Sequence, residues 1–294
     1  MVNVNLGKRS CGSLAIAVTL SFTLVMAAGV LAAMPEQAHA ASTVTCKVSG
    51  EVNYTESYKF LKKLNKLRKQ KGVRPLVMDK KLLKVAEQRA AETSILSAHK
   101  RPNGKMCNTV SKLLKGENLA AANDYEGAFT WWKNSPGHYR NMIRSSFSTA
   151  GIACFERNGQ RYWTNLFGTS KTGKVKKSGA KSKSFKVRIA KKYLKGKYMT
   201  LAHREVESYS STPVTILFGM KGVNAAGSLP NSLFTYKSSN PAVFTVDSKG
   251  VIRANGEGSA KLTITAKKKK SCKLTQTVRV VDFLDDGAFM AADD

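Results

Sequence analysis

Carboxylates are scarce in this chain: Asp+Glu number 19 against 49 Lys+Arg in 294 residues, a formal net charge of +30. Such an imbalance points to polyanionic partners and says little about fold. Histidine is scarcer still, and beyond residue 40 only His99, His138 and His203 remain. The cysteines show no C-x-x-C or other compact zinc spacing, which argues against a zinc knuckle. No G-x-S-x-G surrounds Ser111, Ser135 or Ser145, so no serine-hydrolase elbow is offered. Internal repeats are missing too. So is a closing apolar segment: the final Ala291-Ala292-Asp293-Asp294 predicts that any retention at a surface is non-covalent.

What the N-terminus does contain is the pattern of a cleavable signal peptide over residues 1–40. Lys8 and Arg9 lead, an apolar stretch runs from Leu14 to Met34, and Ala38-His39-Ala40 supplies an A-x-A site. The competing reading is a retained apolar anchor. Cleavage implies a secreted or cell-wall-associated protein without a transmembrane anchor after processing. The polyanions within its reach are cell-wall polymers, lipid head groups and matrix polysaccharides, and no specific nucleic acid. Cys46, Cys107, Cys154 and Cys272 survive processing, and four cysteines allow three complete pairings.

Composition divides the rest. From Thr169 to Lys197 there are twelve Lys or Arg and no acid. Residues 169–184 are expected to be an extended, mobile basic linker, either a solvated spacer or an electrostatic patch. Before it the chain reads helical. Thr55 is placed to cap a helix carrying Tyr58, Leu61, Leu64 and Leu67. Asp79 and Asp124 are placed to cap two more, and Ser135-Pro136 opens a fourth. Two strands follow, Gly151–Phe155 and Tyr162–Phe167, joined by Asn158-Gly159, a tight-hairpin signal. After the linker, short strands around residues 214–218, 232–236, 242–246, 261–265 and 277–281 predict a small β-sandwich over 185–283. An acidic tail, 284–294, ends the chain. The fold class is α+β.

Residues 41–168, with a core of 58–168, resemble the CAP superfamily, the SCP domain of cysteine-rich secretory, antigen 5 and pathogenesis-related proteins, in its bacterial branch. The carriers are Leu64-Asn65-x-x-Arg68, Pro75-Leu76-x-x-Asp79, Arg89-Ala90-x-Glu92, His99-x-Arg101-Pro102-x-Gly104, Gly116-Glu117-Asn118-Leu119-Ala120, Trp132-x-x-Ser135-Pro136-Gly137-His138 and Gly151-Ile152. The implied fold is an α-β-α sandwich. The second half resembles the group 2 bacterial immunoglobulin-like domain through Ser238-Ser239-Asn240-Pro241-Ala242-Val243, Thr245-Val246-Asp247, Gly250-Val251 and Gly256-Glu257-Gly258-Ser259-Ala260.

The CAP resemblance implies a cleft of two histidines and two glutamates that in some members holds a divalent metal. His99, His138 and Glu117 match three of these places, and Ser135 stands where the second glutamate is usual. Zinc or another divalent cation at His99, Glu117 and His138 would leave one coordination position open for water. Alternatively, Glu117 accepts hydrogen bonds in a purely structural network. The expected disulfide joins Cys107 to Cys154, leaving Cys46 and Cys272 to pair across domains or stay free. Trp131, Trp132 and Trp163 read as core by default, with a ligand wall as the alternative, and Lys267–Lys270 as a hairpin loop. The functional expectation is a non-enzymatic binding module with a basic, wall-binding part, and the resemblance also permits a lipid or sterol ligand. The rivals are a metal-assisted hydrolase using the His/Glu cleft and a host-directed adhesin.

Overall fold

The computed structural model describes residues 42–219 and 227–282. The expected signal peptide and acidic tail lie outside the described residues. Strands are numbered in chain order: β1 Thr43–Asn53, β2 Val77–Met78, β3 Gly116–Ala121, β4 Thr149–Arg157, β5 Gln160–Gly168 and β6 Ala180–Ala190. The helices are α1 Tyr54–Gln70, α2 Lys80–Thr93, α3 Tyr125–Asn134 and α4 Pro136–Ile143. One sheet has the order β3-β5-β4-β1-β6, with β2 parallel to β4.

The caps explain where the helices start. Asp79 Oδ1 accepts from the backbone N–H groups of Lys81 and Leu82, and Asp124 Oδ1 from that of Gly127. Pro136 occupies the first turn of α4 as expected. At α1 the cap is Asn53, whose Oδ1 accepts from the Glu56 N–H at 3.0 Å, two residues earlier than the sequence reading placed it. The β4–β5 hairpin turns on Asn158 and Gly159, both at positive φ (53° and 71°), as its dipeptide required.

Helices cover both faces of the sheet. Cys154 sits opposite Trp163 across the β4–β5 ladder, and the Trp163 ring lies 6.1 Å from the Phe60 ring of α1. Side chains alternate along a strand, so Gly151 opens to the other face. There an added Cβ would lie 2.2 Å from the Leu82 carbonyl oxygen of α2. α1 therefore packs on one face and α2 on the other, which is the α-β-α layering.

The basic segment is not a free linker. Thr172 donates to Asp79 through its backbone N–H (2.5 Å) and its hydroxyl (2.6 Å). Lys80 N–H donates to the Gly173 carbonyl at 2.7 Å, and the Tyr58 hydroxyl donates to that of Val175. The chain then enters β6, which pairs antiparallel with β1 along all 11 residues, from Thr43↔Ala190 to Asn53↔Ala180. Its signal was a period of two: Val187 and Ile189 are buried and Phe185 half-buried, while Lys186 and Arg188 face out. The charges on the outer face masked the alternation.

Ten further strands follow among the described residues: β7 Met199–Leu201, β8 Glu205–Glu207, β9 Ser211–Pro213, β10 Ile216–Phe218, β11 Gly227–Leu229, β12 Phe234–Ser238, β13 Phe244–Val246, β14 Val251–Ala254, β15 Gly258–Ala266 and β16 Lys273–Val281. They form ladders in the orders β12-β15-β16-β8, β11-β10-β7 and β13-β14-β9. Buried apolar residues form one cluster from Val44 to Val280. At the join, the half-buried Arg157 donates from its guanidinium to the carbonyls of Ser94 (3.2 Å) and Ser228 (2.8 Å). Gly227 lies so close to Ile95 that a Cβ would meet its backbone at 2.3 Å. Among the described residues, no helix is long and apolar enough to cross a membrane.

Candidate functional site

β3 is an edge strand of the sheet, and the cleft straddles it. Glu117 pairs in register with Leu166, which pairs with Gly151, so Glu117 belongs to the α2 face. Asn118 points to the opposite face, where its Nδ2 donates to the His138 carbonyl (3.1 Å) and its Oδ1 accepts from Asn141 (2.9 Å). The edge strand thus places one histidine on each side: His99 beside Glu117, and His138 on α4 beside Asn118. The two imidazole rings lie 6.5 Å apart.

The Glu117 side chain is 2% exposed and fully engaged. Arg89 of α2, itself without exposure, donates from Nε to Oε2 (2.8 Å) and from Nη2 to Oε1 (3.1 Å). His99 Nδ1 meets Oε1 at 2.9 Å. Arg89 also donates to Glu92 (3.1 Å) and to the Ala98 carbonyl (2.9 Å). Glu92 is gripped in turn by Arg101 at 2.6 and 2.9 Å. A buried carboxylate needs such partners, since isolated charge is expensive away from water.

The protonation states follow. Burial works to raise the Glu117 carboxyl, but the His99 hydrogen bond and the Arg89 guanidinium outweigh it and hold the group below the usual carboxylate range. The Cys107 thiol and the Glu117 carboxylate raise His99 to about 9, against a desolvation cost. Burial, helped by the charge on His99, lowers His138, and its Nδ1 is buried without a hydrogen-bond partner. At neutral pH the cleft therefore pairs an imidazolium with a neutral imidazole.

A raised folded-state value stabilises below the unfolded value of 6.5, and that contribution fades as pH rises through about 9. Melting temperature is therefore expected to fall between pH 6.5 and 9 in the wild type. The fall should flatten in His99→Gln, as thermal melts across that range would record. An equal slope in both proteins would remove His99 as the titrating group.

Two site expectations change. The expected Cys107–Cys154 bridge is absent: both are free cysteines, as are Cys46 and Cys272. The sheet separates the pair, because Cys154 lies on the α1 face while Cys107 sits beside His99 and Glu117. Burial raises Cys154 to about 12 and Cys46 to about 11, which leaves both thiols protonated and unreactive. The donor atoms of His99, Cys107 and Glu117 all lie within 4.8 Å of one another, a grouping the sequence reading missed because it assigned Cys107 elsewhere.

The second change concerns metal. The residues do not fit a centre in which His99, Glu117 and His138 are all ligands. Both Glu117 oxygens already accept hydrogen bonds, and a cation there would face the Arg89 guanidinium. Ser135 caps α4, its carbonyl accepting from Tyr139 N–H at 2.8 Å, and supplies no second carboxylate. Trp132 and Trp163 are buried and donate to the carbonyls of Leu119 (2.9 Å) and Ala122 (3.0 Å), whereas Trp131 is exposed.

Comparison with known proteins agrees with this architecture. Residues 61–167 match the model of the cysteine-rich secretory protein family, CAP, and residues 230–268 match that of the intimin immunoglobulin-like domain. No curated protein sequence matches the chain. Among solved structures, an extracellular SCP-domain protein from Bacillus anthracis is 20% identical over 39% of this chain and 40% of its own, with a TM-score of 0.35. An outer surface protein from Borrelia burgdorferi is 21% identical over 42% of this chain and 99% of its own, also at 0.35. An intimin mutant from enterohaemorrhagic O157:H7 is 19% identical over 26% of this chain and 36% of its own, at 0.19. This chain thus spans well under half of the Bacillus anthracis protein. By its family matches, it carries a CAP domain at residues 61–167 and an intimin-type immunoglobulin-like domain at 230–268.

Proposed function

We propose that the protein works outside the cytoplasm as a non-enzymatic binding module that holds anionic polymer through its cationic surface. The disposition of its few acids carries this reading. Between residues 43 and 190 there are nine carboxylates, and Glu56, Asp79, Glu87, Glu92 and Glu117 are buried. Glu126 and Glu156 are paired with Lys63 and Arg161. Inward-facing acids leave a surplus of lysine charge facing solvent, the condition for salt-sensitive attraction to polyanions.

The cleft supports binding over hydrolysis. A general base or a metal ligand needs a free carboxylate, and Glu117 is held by Arg89 and His99. The host-directed adhesin is the second reading, favoured by the intimin-type domain match. Host-cell binding that survives loss of both His99 and His138 would support it.

Co-sedimentation of the full processed chain with bacterial walls, intact or stripped of anionic polymer, tests the first reading. The chain is expected to pellet with intact walls at about 0.1 M salt and to be released at about 1 M, where the screening length shrinks roughly from 10 to 3 Å. Pelleting that ignores both salt and stripping would overturn the polymer reading.

A further inference from the structure

A row of positive charge, much of it unpaired among the described residues, lies on α1, far in sequence from the basic segment that composition singled out. Lys59, Lys62, Lys63, Lys66 and Lys69 recur at three- and four-residue spacing and so share one helical face. From the first to the last, that row covers about 15 Å at 1.5 Å per residue. It forms one wall of a groove of about 1150 Å³. Gly72, Val73, Arg74, Pro75, Tyr125 and Glu126 line the rest of it.

A row of surface lysines is ordinarily a solvated face, and three features set this one apart. The groove is built: Asn65 donates to the Leu76 carbonyl (2.9 Å) and accepts from its N–H (2.8 Å), which pins the 72–76 segment against the helix. Buried Arg68 reinforces it by donating to the Arg74 carbonyl at 2.9 Å. Its cations are available: Lys59 and Lys63 pair with Glu56 and Glu126, but Lys62, Lys66, Lys69 and Arg74 meet no carboxylate among the described residues. Its lining is partly apolar, with Val73, Pro75 and the Tyr125 ring, over which the Lys59 ammonium lies at 5.8 Å.

A concave, linear arrangement suits a chain-like anion, whereas a flat membrane surface meets only its rim. Lysine ammonium groups are compact point charges that attract phosphate oxygens, and the Arg74 guanidinium offers a fork that fits a phosphate bidentately. We propose that this groove is the seat of a linear polyphosphodiester. Its phosphates would lie on Lys62, Lys66, Lys69 and Arg74, and its polyol or sugar units against Tyr125, Val73 and Pro75. This rests on the polymer-binding reading above and gives that reading an address.

The test uses the full processed chain and a poly(glycerol phosphate) oligomer, with affinity measured across a salt series. One variant carries Lys62→Glu, Lys66→Glu and Lys69→Glu. A control of equal charge change carries Lys267→Glu, Lys268→Glu and Lys270→Glu. The groove variant is expected to lose about tenfold or more in affinity and about two to three units of salt slope, at roughly 0.7 to 1 per lost phosphate contact. The control should stay within about threefold of wild type. Thermal melts within a few degrees of wild type would show that both variants fold. If the two variants weaken equally, binding follows diffuse charge and the groove assignment falls while the functional reading stands. If the wild type itself fails to bind the oligomer at low salt, the functional reading falls first. Loss of binding to phosphatidylglycerol vesicles with polymer binding intact would overturn the assignment in favour of a membrane.

Discussion

Replacing Arg89 with methionine is expected to destabilise the protein by about 3–5 kcal/mol, the range for removing one partner of a buried ion pair. Arg89 is fully buried and ties together Glu117, Glu92 and the Ala98 carbonyl. Methionine can occupy its volume but donates nothing. Two carboxylates with 2% and 4% side-chain exposure would then lack their shared cation. Glu92 retains Arg101, so Glu117 bears the larger penalty, with only His99 as a charged partner. For a chain of this size the melting temperature should drop on the order of 10 °C. The double variant Arg89→Met with Glu117→Leu should be more stable than Arg89→Met alone, because it removes the stranded charge as well. Calorimetry on the four proteins of that cycle decides. If Arg89→Met melts within about two degrees of wild type, Glu117 does not depend on its guanidinium.

The other large effect concerns where the front domain ends. A chain stopping at Gly168, where the CAP motifs stop, is expected not to fold cooperatively, whereas one stopping at Ala190 should. β1 touches β4 through only two residue pairs, Glu51↔Glu156 and Val52↔Phe155, and is otherwise held by β6. Without β6, Val44, Cys46 and Val48 lose their partner strand, and the buried Val187 and Ile189 are gone. Each large apolar side chain contributes about 1.5–3 kcal/mol when buried. The strap through Thr172 that completes the Asp79 cap disappears with them. Together these losses approach the 5–15 kcal/mol by which whole domains are stable. Urea unfolding and size-exclusion chromatography on the two fragments make the comparison. A cooperative transition of equal midpoint in the shorter chain would show that β6 is dispensable.

Where a local rule acts alone, the sequence was legible. Asp79 and Asp124 cap, Pro136 starts a helix, and Asn158-Gly159 turns a hairpin, each through groups within a few residues. The family motifs named the cleft residues, and His99 and Glu117 do meet. What the motif string did not reveal is that much of it serves as scaffold. Arg68 donates to the carbonyls of Arg74, Met142, Arg144 and Phe147, and Asn65 holds Leu76. The role of Arg89 was equally hidden, because its partner Glu117 lies 28 residues away and only the sheet brings them together. The sequence signals neither β1 nor β6 as a strand, and it divides β6 between the linker (to 184) and the β-sandwich (from 185), for one reason. Their apolar residues alternate with polar or charged ones, and composition averaged over both faces looks like a solvated tether.

The pairing of Thr43 with Ala190 also sets an order of events. The strand made first can find its partner only after more than a hundred further residues have followed, so the front domain closes last where it began. Contacts so distant in sequence make closure slow. Until it happens, the edge of β1 displays Val44, Cys46 and Val48 beside unpaired backbone groups, a template for the wrong partner. The outward-facing Lys186 and Arg188 on β6 then acquire a second meaning. Mutual repulsion would keep β6 strands of neighbouring molecules from joining one another, while their apolar side remains free to seal the first strand of their own chain.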